Sequence, residues 1–69
     1  MQQFDFHIEQ RIAVLSESGS MTLELNRVSY CGNPAKLDLR RWRDGKPLKG
    51  VSLTDEEAGR LLEALHGQE

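Results

Sequence analysis

The chain has 69 residues, nine Lys and Arg against eleven Asp and Glu, a single cysteine and a single tryptophan. That length holds one domain, residues 1–69, and a chain this small buries only about 60% of the surface its unfolded form exposes. Cys31 cannot form an internal disulfide and has no second cysteine near it to build a zinc site. Oligomerisation is the remaining way to stabilise so small a fold, so a homodimer is expected.

No apolar run approaches the ~20 residues of a membrane span. The opening Met1-Gln2-Gln3-Phe4-Asp5 lacks the basic start and apolar segment of a secretory signal, so the expected compartment is cytoplasmic. The charge is unevenly spread. Between residues 36 and 53 stand Lys36, Arg40, Arg41, Arg43, Lys46 and Lys49 against only Asp38 and Asp44. Residues 54–69 reverse the sign, with Arg60 against Asp55, Glu56, Glu57, Glu63 and Glu69. A basic segment inside an acidic chain binds a polyanion if its cations share one face; otherwise it is an ordinary mixed-sign surface.

Phe4 to Leu15 predicts a long first strand, with Phe4, Phe6, Ile8, Ile12 and Val14 opposite Asp5, His7, Glu9 and Arg11. Ser16-Glu17-Ser18-Gly19-Ser20 reads as a turn. Thr22 to Tyr30 is a second strand, in which Leu23 and Leu25 fall out of phase with Val28 and Tyr30. That phase change fits a β-bulge at Asn26-Arg27, or a regular strand with Val28 and Tyr30 on its other face. After the turn Cys31-Gly32-Asn33-Pro34, Lys36 to Arg43 is a third strand. Leu37 and Leu39 mark one face of it, and Lys36, Asp38, Arg40 and Trp42 mark the other. Asp44-Gly45-Lys46-Pro47 is a turn, and Leu48 to Leu53 is a short fourth strand.

The helix that follows has sharp ends. Thr54 and Glu57 fit a capping box, and Asp55, Glu56 and Glu57 lie where the helix dipole favours acids. Ala58, Leu61, Leu62 and Leu65 make one apolar stripe, and Gly67 supplies the stop, beside His66. Strands followed by one terminal helix predict an α+β domain with an antiparallel sheet. The stripe covers a sheet face or pairs with its counterpart in a dimer.

The polar face of the third strand is the strongest chemical feature. Lys36, Arg40 and Trp42 combine cations that track phosphates with a ring that stacks on a base, as single-stranded nucleic acid requires. The alternative is a Trp that covers the rim of the core, with Arg40 paired to an acid. Catalytic readings are weak. Asp5, His7 and Glu9 are what alternation on an exposed strand gives by chance, and Cys31 has no evident activating partner. No phosphate-binding glycine loop is present.

Three segments carry a resemblance: Glu24-Leu25-Asn26-Arg27-Val28-Ser29-Tyr30, Lys36-Leu37-Asp38-Leu39-Arg40-Arg41-Trp42, and Lys49-Gly50-Val51-Ser52-Leu53-Thr54. In their order and spacing the chain resembles, over roughly residues 12–65, the bacterial branch of the transcriptional-coactivator family called positive cofactor four. The resemblance implies four antiparallel strands in a curved sheet followed by one C-terminal helix, dimerising. It also implies that the curved sheet binds single-stranded DNA, in transcription, replication or repair. The residues it points to are Arg27, Tyr30, Lys36, Arg40, Trp42 and Lys49, with Leu61, Leu62 and Leu65 at the dimer interface. Tyr30 stands where similar proteins often carry Trp, and the turn from Ser16 to Met21 lacks the cations that relatives often place there.

The expectation is a homodimer that binds single-stranded DNA, or RNA, by charge attraction and base stacking. It has no enzyme activity, no cofactor or metal, no small-molecule substrate and no membrane. The alternative is a protein-interaction module of the same fold that recruits a transcription or repair partner.

Overall fold

The computed structural model describes residues 5–68. Four strands, β1 (Phe6–Ser18), β2 (Met21–Tyr30), β3 (Lys36–Arg43) and β4 (Lys46–Leu53), are followed by one helix, α1 (Asp55–His66). The strands form a single antiparallel, curved sheet in the order β1-β2-β3-β4. The fold is the expected α+β arrangement. Phe4, the first residue of the predicted first strand, lies outside the described residues.

Local chemistry explains the joints. Asp44 and Gly45 both take positive φ, 51° and 78°, which makes a two-residue turn whose twist matches the strands it joins. β4 therefore starts at Lys46 rather than Leu48, and Pro47 is tolerated because β4 is an edge strand. β1 runs on to Ser18, through most of the serine-rich run read as a turn. At α1 the capping box is present: the Glu57 N–H donates to Thr54 Oγ1 at 3.1 Å, and the Thr54 N–H donates to Glu57 Oε1 at 2.8 Å.

The bulges lie elsewhere than the sequence suggested. β2 pairs with β3 without interruption from Met21 to Val28, so the phase change in β2 is the regular strand with two occupied faces. β1 instead shifts register three times, between Ile8 and Gln10, Arg11 and Ala13, and Val14 and Ser16. Each shift inserts one extra residue, Glu9, Ile12 and Leu15 in turn, and each adds bend and twist to the edge strand. The strict alternation expected for β1 is thereby lost. Ile12 leaves the apolar row, and Arg11 comes opposite Asn26 on the inner side of the sheet.

The inner face carries Val28 and Trp42, the two buried apolar side chains among the described residues, together with buried Glu24, Asn26 and Asp38. The outer face carries Leu23, Leu25, Leu37, Leu39 and Leu53, none of them buried, and the exposed Val51. The helix does not cover that face. Its backbone packs near β3 and β4, none of its residues is buried, and Leu61, Leu62 and Leu65 remain 42%, 58% and 58% exposed. The radius of gyration is 13.0 Å, against about 11 Å expected for a closed domain of this length.

Candidate nucleic-acid interface

β2, β3 and β4 bring Glu24, Asn26, Asp38, Arg40 and Ser52 together, because Glu24 opposes Arg40, Asn26 opposes Asp38, and Asp38 opposes Ser52. Asp38 is fully buried, and the Arg40 guanidinium grips it with two hydrogen bonds of 2.6 and 2.7 Å. Ser52 Oγ donates to the same carboxylate at 3.1 Å. These bonds hold Arg40 firmly in its charged form, against the opposing effect of burial. Opposite Arg41, β4 fits two residues, Leu48 and Lys49, between the pairs Arg40–Gly50 and Trp42–Pro47. Arg40 Nη1 donates to the Leu48 carbonyl at this irregularity, at 2.9 Å.

A second cluster lies nearer β1. Glu24 accepts hydrogen bonds from Asn26 Nδ2 at 3.0 Å and Thr22 Oγ1 at 2.6 Å, and pairs with Arg11 at 3.5 Å. The bonds from Asn26 and Thr22 hold its carboxyl below the ordinary value of 4.5, with Arg11 adding to the effect and burial opposing it. Tyr30 has its hydroxyl pKa raised, first by burial and then by the Asp38 charge. The Arg40 guanidinium carbon lies 5.0 Å from the centroid of the Tyr30 ring.

Two expected site residues lie in closed surroundings. Trp42 does share a face with Lys36 and Arg40, but it is the inner face, and Trp42 is only 3% exposed. Phe6 covers it edge-on, with ring centroids 5.5 Å apart at 60°. Trp42 thus offers no open stacking surface in this conformation; the rim-covering alternative describes its burial better. Its Nε1–H is buried without a hydrogen-bond partner among the described residues, a loss of about 1–3 kcal/mol. Arg40 is paired with Asp38 rather than free. Two charge-assisted hydrogen bonds to Arg40 and one from Ser52 offset the cost of burying the Asp38 carboxylate, while the Arg40 side chain stays 13% exposed.

The ion pairs sort the remaining cations. Arg27 reaches Asp55 at the start of α1 at 3.8 Å, and Arg60 pairs with Glu56 at 3.5 Å. Lys36, Arg41, Arg43, Lys46 and Lys49 are exposed and form no ion pair among the described residues. All five sit on the β3–β4 hairpin, four of them towards its turn, where Arg43 and Lys46 face each other directly. Arg43 Nη2 also touches Met21 Sδ at 3.2 Å. Of the expected residues, Lys36 and Lys49 are therefore free, while Arg27 and Arg40 are paired. Arg41, Arg43 and Lys46 were missed. The Asp-Gly turn was the signal, since a two-residue loop forces its flanking cations together.

No model of a known protein family matches the chain. An uncharacterized protein of Treponema pallidum (strain Nichols) is 40% identical to it over 67 residues, a match that spans 90% of this chain and 79% of that protein. The chain belongs to the family of that treponemal protein.

No grouping of three His, Cys, Asp or Glu able to hold a metal ion occurs among the described residues. The Asp5, His7 and Glu9 row is broken by the first bulge, which takes Glu9 out of register. No described helix is long and apolar enough to cross a membrane.

Proposed function

We propose that this protein binds single-stranded nucleic acid, DNA in the first instance, as a homodimer in the cytoplasm. Binding occurs without chemistry, in the service of transcription, replication or repair. The observation that carries this reading is the sorting of charge: the inner cations are neutralised by Asp38 and Glu24, while Arg41, Arg43, Lys46 and Lys49 stand unpaired on one hairpin. A row of unpaired cations along one hairpin suits the phosphates of a flexible strand, because each one neutralised releases condensed counterions. The resemblance to positive cofactor four supports the same ligand. The dimer is supported by the exposure of Leu61, Leu62 and Leu65 on α1 and by the half-exposed leucines of the outer sheet face.

Anisotropy titration of a labelled oligothymidine and of a duplex of equal length, each at several salt concentrations, tests the reading. The single strand is expected to bind more tightly, with affinity falling linearly in log–log form as salt rises. Equal affinity for the two would reduce the interaction to nonspecific charge attraction. Absence of binding to either would favour the second reading, a protein-interaction module of the same fold. The burial of Trp42 and the exposed leucine stripe are the observations on that side.

A further inference from the structure

We infer that the N-terminal end of β1 is a displaceable strap, in which Phe6 occupies the position that an unpaired base takes against Trp42. This rests on the single-strand reading above and adds to it a closed state and an open one. Three observations converge on the segment Asp5 to Ile8. Phe6 meets Trp42 edge-on at 5.5 Å and Tyr30 at 6.4 Å, so one side chain blocks the two aromatic residues expected to stack bases. The segment also lies on an edge strand, bounded by the register shift after Ile8. Its attachment is short: the pairs Phe6–Tyr30, His7–Ser29 and Ile8–Val28, and the Cys31 N–H donating to the Asp5 carbonyl at 2.8 Å. Releasing it leaves the pairing of β2 with β3 intact, along with the Asp38–Arg40 pair beneath.

The third observation concerns what the closed state leaves unsatisfied. Trp42 Nε1 is buried without a partner among the described residues, and a phenylalanine ring brings no acceptor to it. A nucleobase brings both a stacking face and carbonyl oxygens. Next to Trp42 an open cleft of about 180 Å³ is already present, lined by Ile8, Arg11, Thr22 and Glu24 among others. The strap thus holds a hydrophobic substitute in a place that a base fills more completely.

When the competent state is only a fraction of the population, apparent affinity falls by that fraction, and weakening the closed state restores it. The test uses the full chain, whose only tryptophan is Trp42. Phe6→Ala and Phe6→Leu are each expected to bind oligothymidine several-fold more tightly than the wild type, and to let acrylamide quench Trp42 more readily before DNA is added. In the wild type, saturating oligothymidine is expected to change the Trp42 emission as the strap lifts and a base takes its place. A folded Phe6→Leu protein that binds no more tightly than wild type overturns the strap. So does wild-type binding that leaves Trp42 emission unchanged, a result that needs no variant and leaves the hairpin-based reading standing. If neither the wild type nor the variants bind oligothymidine, the strap falls together with the single-strand reading.

Discussion

The two faces of this sheet invert the usual arrangement. The inner face buries two carboxylates and an amide, with a guanidinium largely covered beside them; the outer face leaves leucines half covered. The inner groups are buried without large penalty because they satisfy one another: Asp38 receives three hydrogen bonds, and Glu24 two with an ion pair besides. The outer leucines and those of α1 have no such closure. Each gains about 1.5–3 kcal/mol when fully buried, and one chain of this length collects little of that. Specificity of shape comes from the polar face, while in the proposed dimer the missing apolar stabilisation would come from a second subunit.

The largest effect expected is on the polar face. Gly50 lies opposite Arg40, and a Cβ placed there would come within 2.5 Å of Arg40 Cα and 2.6 Å of the Leu39 carbonyl oxygen. Backbone atoms cannot yield as a flexible side chain does. Gly50→Ala should force β4 away from β3 and break the Arg40 bond to the Leu48 carbonyl, destabilising the fold by more than about 4 kcal/mol. Thermal melting followed by circular dichroism checks it, and a melting temperature near wild type would show that the strands are not so closely apposed.

The apolar face responds differently. Leu62 is 58% exposed in the single chain, so Leu62→Asp would change the stability of an isolated subunit by no more than about 0.5 kcal/mol. In a dimer that buries the stripe, the same substitution should abolish assembly at micromolar concentration and unfold the chain with it. Sedimentation velocity, with melting measured across a range of protein concentrations, separates the two. A wild type that sediments as a folded monomer would refute the dimer.

How legible were these two faces in the sequence? The helix was read correctly because its signals are local: Thr54 and Glu57 cap it whatever surrounds them. The partition of β3, with Leu37 and Leu39 on one side and Asp38, Arg40 and Trp42 on the other, also followed from alternation. Which side faces inward did not. Alternation separates two faces without ranking them, and a face carrying Asp, Arg and Lys reads as solvated unless its pairing is known. The β1 bulges left no mark either, since Glu9, Ile12 and Leu15 are residues that any regular strand accepts. Their consequence, the placing of Arg11 beside Glu24 and Phe6 over Trp42, was hidden for the same reason.

Acid should act through the polar face first. Glu24 has its carboxyl pKa lowered in the folded state by Asn26 and Thr22, with a further contribution from Arg11. The unfolded chain therefore binds this proton more readily. The resulting stabilisation is complete above the ordinary value of 4.5 and disappears as pH falls through the depressed folded value. The melting temperature of the wild type should accordingly drop on acidification below that range. Glu24→Gln, which keeps the shape and one acceptor but removes the titration, should flatten the drop. An unchanged acid profile in that variant would mean that other carboxylates govern acid unfolding.

The smallest effect expected concerns the free cations, and it distinguishes them from the paired ones. Lys49→Ala removes an exposed charge with no carboxylate partner, so its loss should cost one phosphate contact and little stability. The slope of log affinity against log salt for oligothymidine should become shallower by roughly 0.7 for each subunit engaged. Lys46→Ala, beside the hairpin turn, should behave alike. Arg40→Ala cannot be read in this way, because it leaves Asp38 buried and unpaired, at a cost of about 3–5 kcal/mol. Its effect should appear in the melting curve before any titration is possible. If Lys46→Ala and Lys49→Ala both leave the salt slope at its wild-type value while binding persists, the hairpin does not carry the phosphates. The strand would then have to reach the inner face, through cations that are now engaged with Asp38 and Glu24.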